Sequence, residues 1–394
     1  MKKKKIVFFI DSLGGGGAER VVSVLAAQLL NRGYGVDILM MNRRPVAYAL
    51  PDGVNLLYAE DLPVSTRWGR LAQKIMEKCM HWQVRFLNPL YRKFGYHTYP
   101  RANETKIFFY ARYALPYREY LRQNPGCTAF GFLIRSNIAM LMAAKGLDVK
   151  TVFCERNHPV RPDMPANIMK IRDRIVSRCK AAVFQTEEER EYYTMLRCPT
   201  AVIPNPLKEG LPHRFAGERR HEIVNFCRLN KQKNIPLLMD AFACLHREYP
   251  DYTLRIYGRG EEKENLLALT REKGLDSVVF FEDFAPDVHE RIRDAAMFVC
   301  SSDFEGLSNS MLEAMAIGMP CVCTDCAGGG ARMMIRDHVN GILTPVGDVE
   351  ALYRGMKEIV ENPALAESLS REAAKVRDQL SIEKIVDRWE SMIG

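Results

Sequence analysis

No stretch of this sequence approaches the ~18–20 consecutive apolar residues that a membrane-spanning helix needs, so an integral membrane protein is not expected. Lys2 to Lys5 precede an apolar run, but Ile6-Val7-Phe8-Phe9-Ile10 stops at Asp11, too short for the core of an export signal. The dipeptide Gly-Lys is missing, which excludes a P-loop. So is any Asp-x-Asp pair of the sort that holds a divalent cation on phosphate. The densest of the 11 cysteines, Cys321-Val322-Cys323-Thr324-Asp325-Cys326, lack a second ligand pair at regular spacing. Zinc is therefore not expected, and these thiols read as filling a strand and its exit. With no export signal the cysteines are expected to be reduced and the compartment cytosolic. No repeat of solenoid period is present.

What is present is 394 residues, 47% hydrophobic and 26% charged, enough for a large core and more than one core usually spans. Two domains of about 200 residues are expected. Their charges differ: residues 1–200 carry 32 Lys+Arg against 17 Asp+Glu, the remainder 24 against 31. Residues 63–124 hold 12 Lys+Arg against 3 acids, with 13 of the 37 aromatics interleaved, Trp68, Trp82, Phe86 and Tyr91 among them. Such a stretch suits an anionic lipid surface, with rings sunk at the headgroup level. A solvated basic face over core aromatics is the plainer alternative. Nucleic acid also attracts this mixture, but no reader module accompanies it, so nucleic acid is not expected as a partner.

The chain reads as alternating strands and helices. Residues 5–10 form a buried strand, four glycines break it, Glu19 to Arg32 has helical spacing, and Val36–Met41 is a second strand. That is a parallel βαβ unit. Apolar runs at Thr151–Cys154, Ala181–Gln185 and Ala201–Pro204 extend the sheet, and Pro204-Asn205-Pro206 with Lys208 to His221 reads as a linker. A second alternation follows, with strands at Glu222–Cys227, Thr253–Tyr257, Ser277–Phe281, Met297–Cys300 and Pro320–Cys323, and helices at Ile235–His246, Glu261–Lys273 and Asn309–Ile317. Helical segments near 348–360, 364–377 and 382–392 close the chain.

Doubly wound sheets bind ligands outside the carboxyl ends of their strands. Gly14-Gly15-Gly16-Gly17 lies between the first strand and helix, where bare backbone approaches a phosphate. It fails the dinucleotide fingerprint, since Glu19 takes the place of the third glycine. Arg228, just past a strand, and Lys233, just ahead of a helix, can converge on one anion. Asp303-Phe304-Glu305-Gly306-Leu307-Ser308-Asn309-Ser310-Met311-Leu312-Glu313 sets two glutamates eight apart around a helix start that Ser308 or Asn309 caps. Carboxylates so placed accept hydrogen bonds from sugar hydroxyls, and Glu313, in an apolar run, is costly unless it is used.

With those residues the chain resembles the retaining glycosyltransferases of family four. The match takes in Gly14 to Arg20, Val202-Ile203-Pro204-Asn205-Pro206, Arg228 to Lys233, Gly258-Arg259-Gly260, Glu305/Glu313 and Thr324-Asp325. Glu155-Arg156-Asn157-His158-Pro159 resembles a stretch in members that build bacterial surface polysaccharides. The resemblance implies an α/β protein with two Rossmann-like doubly wound parallel-sheet domains facing a cleft, the GT-B fold. Residues 1–205 would bind acceptor, 206–377 would bind the nucleotide-sugar donor, and a helix over 378–394 would return to the first domain.

It further implies that Arg228 and Lys233 hold the donor diphosphate, Glu305 the transferred sugar and Glu313 the ribose. Gly16 and Gly17 would approach the donor, Leu307 and Ser308 amides would meet the distal phosphate, and Phe284 and Ala285 backbone the base. Ser136, Asn137, Arg156 and His158 are the candidates for acceptor or sugar-proximal contact. The expected reaction moves a hexose or N-acetylhexosamine, UDP-linked, to a lipid-linked or polysaccharide hydroxyl. No metal or other cofactor is expected, and the enzyme would sit at the inner face of the cell membrane. A nucleotide-sugar epimerase and a non-catalytic nucleotide-sugar-binding subunit stay open as alternatives.

Overall fold

A computed structural model of the chain describes residues 4–62, 104–160 and 166–393. The expected lipid-facing stretch therefore falls largely outside the described residues, over 63–103. The chain divides into two units. One takes the chain to Phe184, Arg190–Ile203 and the terminal stretch from Val386; the other takes Gln185–Glu189 and Pro204–Ile385.

Among the described residues, the first unit holds seven strands: β1 (Lys5–Ile10), β2 (Gly35–Met40), β3 (Val54–Tyr58), β4 (Thr128–Phe132), β5 (Lys150–Cys154), β6 (Ala181–Phe184) and β7 (Thr200–Val202). They pair in parallel in the order β3-β2-β1-β4-β5-β6-β7. Ile6 to Ile10 are wholly buried, as both faces of a parallel strand must be when helices cover them. The helix Gly17–Asn31 sinks Val21, Val22, Leu25 and Leu29, and its first turn is closed by Glu19, whose carboxylate accepts from the Gly16 amide at 2.6 Å. The terminal stretch packs within this unit. Trp389 is 1% exposed, stacked on Phe132 and edge-on to Phe130 with centroids 5.6 Å away in both cases.

The second unit holds β8 (Arg220–Phe226), β9 (Thr253–Tyr257), β10 (Val279–Glu282), β11 (Ala295–Cys300), β12 (Cys321–Thr324) and β13 (Ile342–Thr344), all parallel in the order β10-β9-β8-β11-β12-β13. Cys321 and Cys323 are strand residues with buried side chains, and Cys326 follows them, also buried.

Three strands, β3, β4 and β13, were not expected from the pattern. β3 is an edge strand whose residues are only partly covered, so its alternation is weak. β4 contains Gly131, and a Cβ there would lie 2.4 Å from the Asn137 Oδ1, so the helix that follows selects glycine over a β-branched residue. β13 is three residues long. The chain passes from the first unit to the second between Ile203 and Pro204, and the segment Pro204-Asn205-Pro206 that begins there is packed. Asn205 is 3% exposed and donates to Asn309 Oδ1 at 2.8 Å while accepting from Gln185 Nε2 at 2.9 Å. That segment is a built part of the second unit.

Candidate functional site

The second sheet reverses its strand order between β8 and β11, the place where doubly wound sheets commonly bind ligands. The segments that follow these strands, Cys227–Asn234 and Ser301–Ser308, are stitched together. Asp303 N donates to Gln232 O at 2.9 Å, Ser301 Oγ to Lys233 O at 2.9 Å, and Gln232 Nε2 to Phe304 O at 2.7 Å. Asn234, in the left-handed region at φ 42°, ends the turn and caps the helix Ile235–Glu248 by accepting from Leu237 N. Lys233 is thereby fixed one residue ahead of a helix amino terminus.

The Lys233 ammonium pairs with Glu305 Oε1. The same oxygen accepts from Ser302 Oγ at 2.9 Å, and Oε2 accepts from Gln232 Nε2 at 3.2 Å. Lys233 and Glu305 side chains are only 15% and 14% exposed. Burial works against the ammonium charge, but the Glu305 carboxylate more than offsets it and the lysine pKa is raised. A lysine paired with a carboxylate therefore sits at the switch point. Arg228 is exposed at the start of the same turn.

Bare backbone lets two further loops approach these segments closely. A Cβ on Gly260 would lie 1.9 Å from Leu229 O, and one on Gly328, at φ +100°, 1.6 Å from Glu305 O. Glycine at these two positions lets the loops meet the Lys233 and Glu305 segments. Thr324 Oγ1 donates to Ser302 O at 2.7 Å, locking the end of β12 to the end of β11.

The helix Asn309–Ala316 is capped by Ser308 Oγ, which accepts from Met311 N at 3.4 Å. The Leu307 carbonyl accepts from Asn205 Nδ2 at 3.4 Å. Glu313, 4% exposed, lies in the helix with its carboxylate against His289 Nε2 at 2.7 Å. Phe284 is 65% exposed and Ala285 buried, in the loop that leads to His289. The structure thus brings Lys233 and Glu305 into contact, and places Glu313 on the helix that follows Leu307 and Ser308. Gln232, Ser302 and His289 were not singled out from the sequence. The roles of Gln232 and His289 arise from side-chain contacts 73 and 24 residues apart in sequence, which no local motif encodes, whereas Ser302 reaches Glu305 from three residues away.

In the first unit the amide of Gly16 is taken by Glu19, and its carbonyl accepts from Tyr48 OH at 3.1 Å. Gly17 begins the helix and is exposed. Ser136 is fully buried and donates to Asp11 Oδ1 at 2.8 Å. Asp11 follows β1 directly, Arg135 lies 3.8 Å away, and burial raises its pKa against the Ser136 hydrogen bond. The sequence signal for Asp11, the first polar residue past a buried strand, was present but unused. Asn137 is also fully buried. Its amide donates to Leu133 O at 2.9 Å and Cys154 O at 3.1 Å and accepts from Cys154 N at 3.3 Å, which makes it a buried clamp between helix and β5. Arg156 lies over the rings of Phe132 and Trp389, 5.0 and 4.8 Å from their centroids, and His158 is half-buried.

Two doubly wound parallel sheets lie on successive stretches of one chain, as in the GT-B fold, and the second carries Lys233 and Glu305 at its switch point. Residues 214–376, less than half of the chain, match the family model described as "Glycosyl transferases group 1". Over 99% of its length the chain is 23% identical to an uncharacterized glycosyltransferase of Haemophilus influenzae, all of which is covered. It is 26% identical over 97% of its length to an N-acetylgalactosaminyltransferase of Campylobacter jejuni that acts on a diphospho-undecaprenol-linked sugar, 98% of which is covered. Among solved structures it resembles TarM, 99% of each chain covered at TM-score 0.77 and 13% identity, and Anabaena HepE with UDP and glucose, 98% of each covered at 0.76 and 16%.

Proposed function

We propose that the chain transfers a hexose or N-acetylhexosamine from a UDP-sugar, with retention and without a metal ion, to a hydroxyl of a lipid-linked or polysaccharide acceptor in surface glycan synthesis. The observation that carries this reading is the Lys233–Glu305 pair, half-buried at the switch point of the second sheet and next to a helix amino terminus. A departing diphosphate needs a fixed positive environment, and a desolvated ammonium whose position is set by a carboxylate supplies it without reorganisation. Arg228, on the same turn, adds a planar guanidinium to the diphosphate. Solved structures of similar fold contain UDP, and UDP-glucose in HepE; several curated relatives build lipopolysaccharide or lipid-linked glycans. These names support the donor and acceptor classes assigned here.

In this reading Glu305 takes hydroxyls of the transferred sugar, Glu313 the ribose, Leu307 and Ser308 the distal phosphate, and Phe284 and Ala285 the base. The acceptor oxygen bonds the anomeric carbon on the face from which the diphosphate leaves, and the leaving oxygen takes the acceptor proton. No separate base is required. Acceptor contact is assigned to the first unit, with Ser136, Arg156 and His158 as its candidates and Asp11 as the partner of Ser136. A panel of UDP-sugars tested by thermal shift and UDP release should yield one active donor, and turnover should persist in excess EDTA. Loss of turnover that Mg²⁺ or Mn²⁺ restores would end the metal-free assignment.

The basic, aromatic stretch is assigned to an anionic membrane surface at the inner face of the cell membrane. Among the described residues no helix is long and apolar enough to cross a membrane. Reversing the charges of Arg85, Arg92 and Lys93 is expected to abolish sedimentation with phosphatidylglycerol vesicles while leaving donor binding alone. Unchanged sedimentation would remove the membrane assignment.

A further inference from the structure

We propose that Cys198 is a site of reversible oxidation by a small anionic disulfide, with Cys179 as the resolving thiol that converts the first adduct into a Cys179–Cys198 disulfide. The two sulfurs lie 3.5 Å apart in thiol–thiol contact, and both cysteines are free. One residue separates Cys179 from β6, and one separates Cys198 from β7. These strands are parallel neighbours whose amino ends are already held side by side, with Ala182 N donating to Pro199 O at 3.0 Å. A covalent link needs the sulfurs at about 2 Å, so side-chain rotation closes the gap while the backbone stays in place. The two thiols differ in access. Cys179 is 6% exposed in the apolar core of the first unit, whereas Cys198 is half-buried at its margin. Arg178, Lys180 and Arg197, next to the two cysteines in sequence, are exposed, and their charge concentrates an anionic disulfide there.

The hydrogen bond between the thiols sets the order of events. It lowers the pKa of Cys198 against the effect of burial, and together with burial it raises that of Cys179. Cys198 is therefore the thiolate that attacks first. Its sulfur bonds one sulfur of the small disulfide, whose S–S bond breaks and releases a thiolate. Cys179 then gives its proton to solvent and attacks Cys198 Sγ, and the second small thiolate leaves. Two protein thiols are oxidised to one disulfide while the small disulfide is reduced to two thiols, so electrons and protons balance. Cys300 and Cys323, register partners on β11 and β12, are both buried and give an oxidant no such entry. The product ties the edge strand β7, three residues long, to β6. It lies at the amino ends of these strands, opposite the carboxyl ends where doubly wound sheets bind ligands, so the link acts on stability.

The test incubates the full chain with oxidised glutathione, quenches in acid, blocks the remaining thiols with N-ethylmaleimide under denaturing conditions and maps the peptides by mass spectrometry. Wild type is expected to yield the peptides of Cys179 and Cys198 joined to each other. Cys179→Ser should stop at a glutathione adduct on Cys198, and Cys198→Ser should leave Cys179 carrying maleimide alone. Maleimide on Cys198 of the treated wild type would overturn the proposal, as would a glutathione adduct that wild type and Cys179→Ser retain alike. Should a serine variant fail to fold, the wild-type map decides by itself. Calorimetry gives the second readout: oxidised wild type is expected to unfold on the order of 5–10 °C above the protein reduced with dithiothreitol, a shift that Cys179→Ser lacks. An equal midpoint for the two forms of wild type would overturn the effect on β7.

Discussion

Lys233→Ala is expected to lower kcat by about 10²–10³-fold while the protein stays folded. The argument lies in how the pair is built. The ammonium is desolvated, raised in pKa by Glu305 despite burial, and held where charge develops on the leaving group. Removing it takes away a charge that water, entering the space, replaces only in part. The fold survives because Glu305 keeps two hydrogen bonds, from Ser302 Oγ and Gln232 Nε2. Lys233→Arg restores the charge but not the activity, since a guanidinium is a broad plane where the site holds a compact ammonium. Far-UV circular dichroism together with UDP release from the purified variant checks both halves. Wild-type turnover in Lys233→Ala would take the leaving-group role from this residue.

Trp389→Ala is expected to cost about 3–5 kcal/mol of stability in the first unit, lowering its unfolding midpoint by on the order of 10 °C. The indole is fully buried, stacked at 20° on Phe132, edge-on to Phe130 at 64°, with the Arg156 guanidinium 4.8 Å from its centroid. Alanine leaves a cavity at the end of β4, and the Arg156 charge loses one of its two aromatic faces. Its Nε1 is buried with no hydrogen-bond partner among the described residues. Trp389→Phe should accordingly cost far less than the alanine change. Differential scanning calorimetry of the two variants measures the contrast; equal losses would mean that the indole nitrogen, not the ring volume, matters.

The central strands β1 and β11 were legible because wholly buried parallel strands are continuous apolar runs, as Ile6 to Ile10 and Met297 to Cys300 are. The contact between Lys233 and Glu305 was not legible, though both residues were. Each follows a different strand, and only the order β8-β11 in the sheet makes the two loops neighbours. The burial of Asn205 was not legible for a related reason. Two flanking prolines mark a break in regular structure, but they say nothing about burial, and the side chain is held by Gln185 and Asn309 from distant parts of the sequence. Ser136 and Asn137 are adjacent polar residues of one helix with different fates. One faces Asp11, and the other is consumed by the backbone of β5.

A crystal structure of the protein with UDP tests the central claim most directly. The account predicts the β-phosphate within hydrogen-bond reach of Lys233 Nζ and the ribose hydroxyls on Glu313. Density for the diphosphate away from the turn between β8 and the helix Ile235–Glu248, with the Lys233–Glu305 pair untouched by ligand, would contradict it.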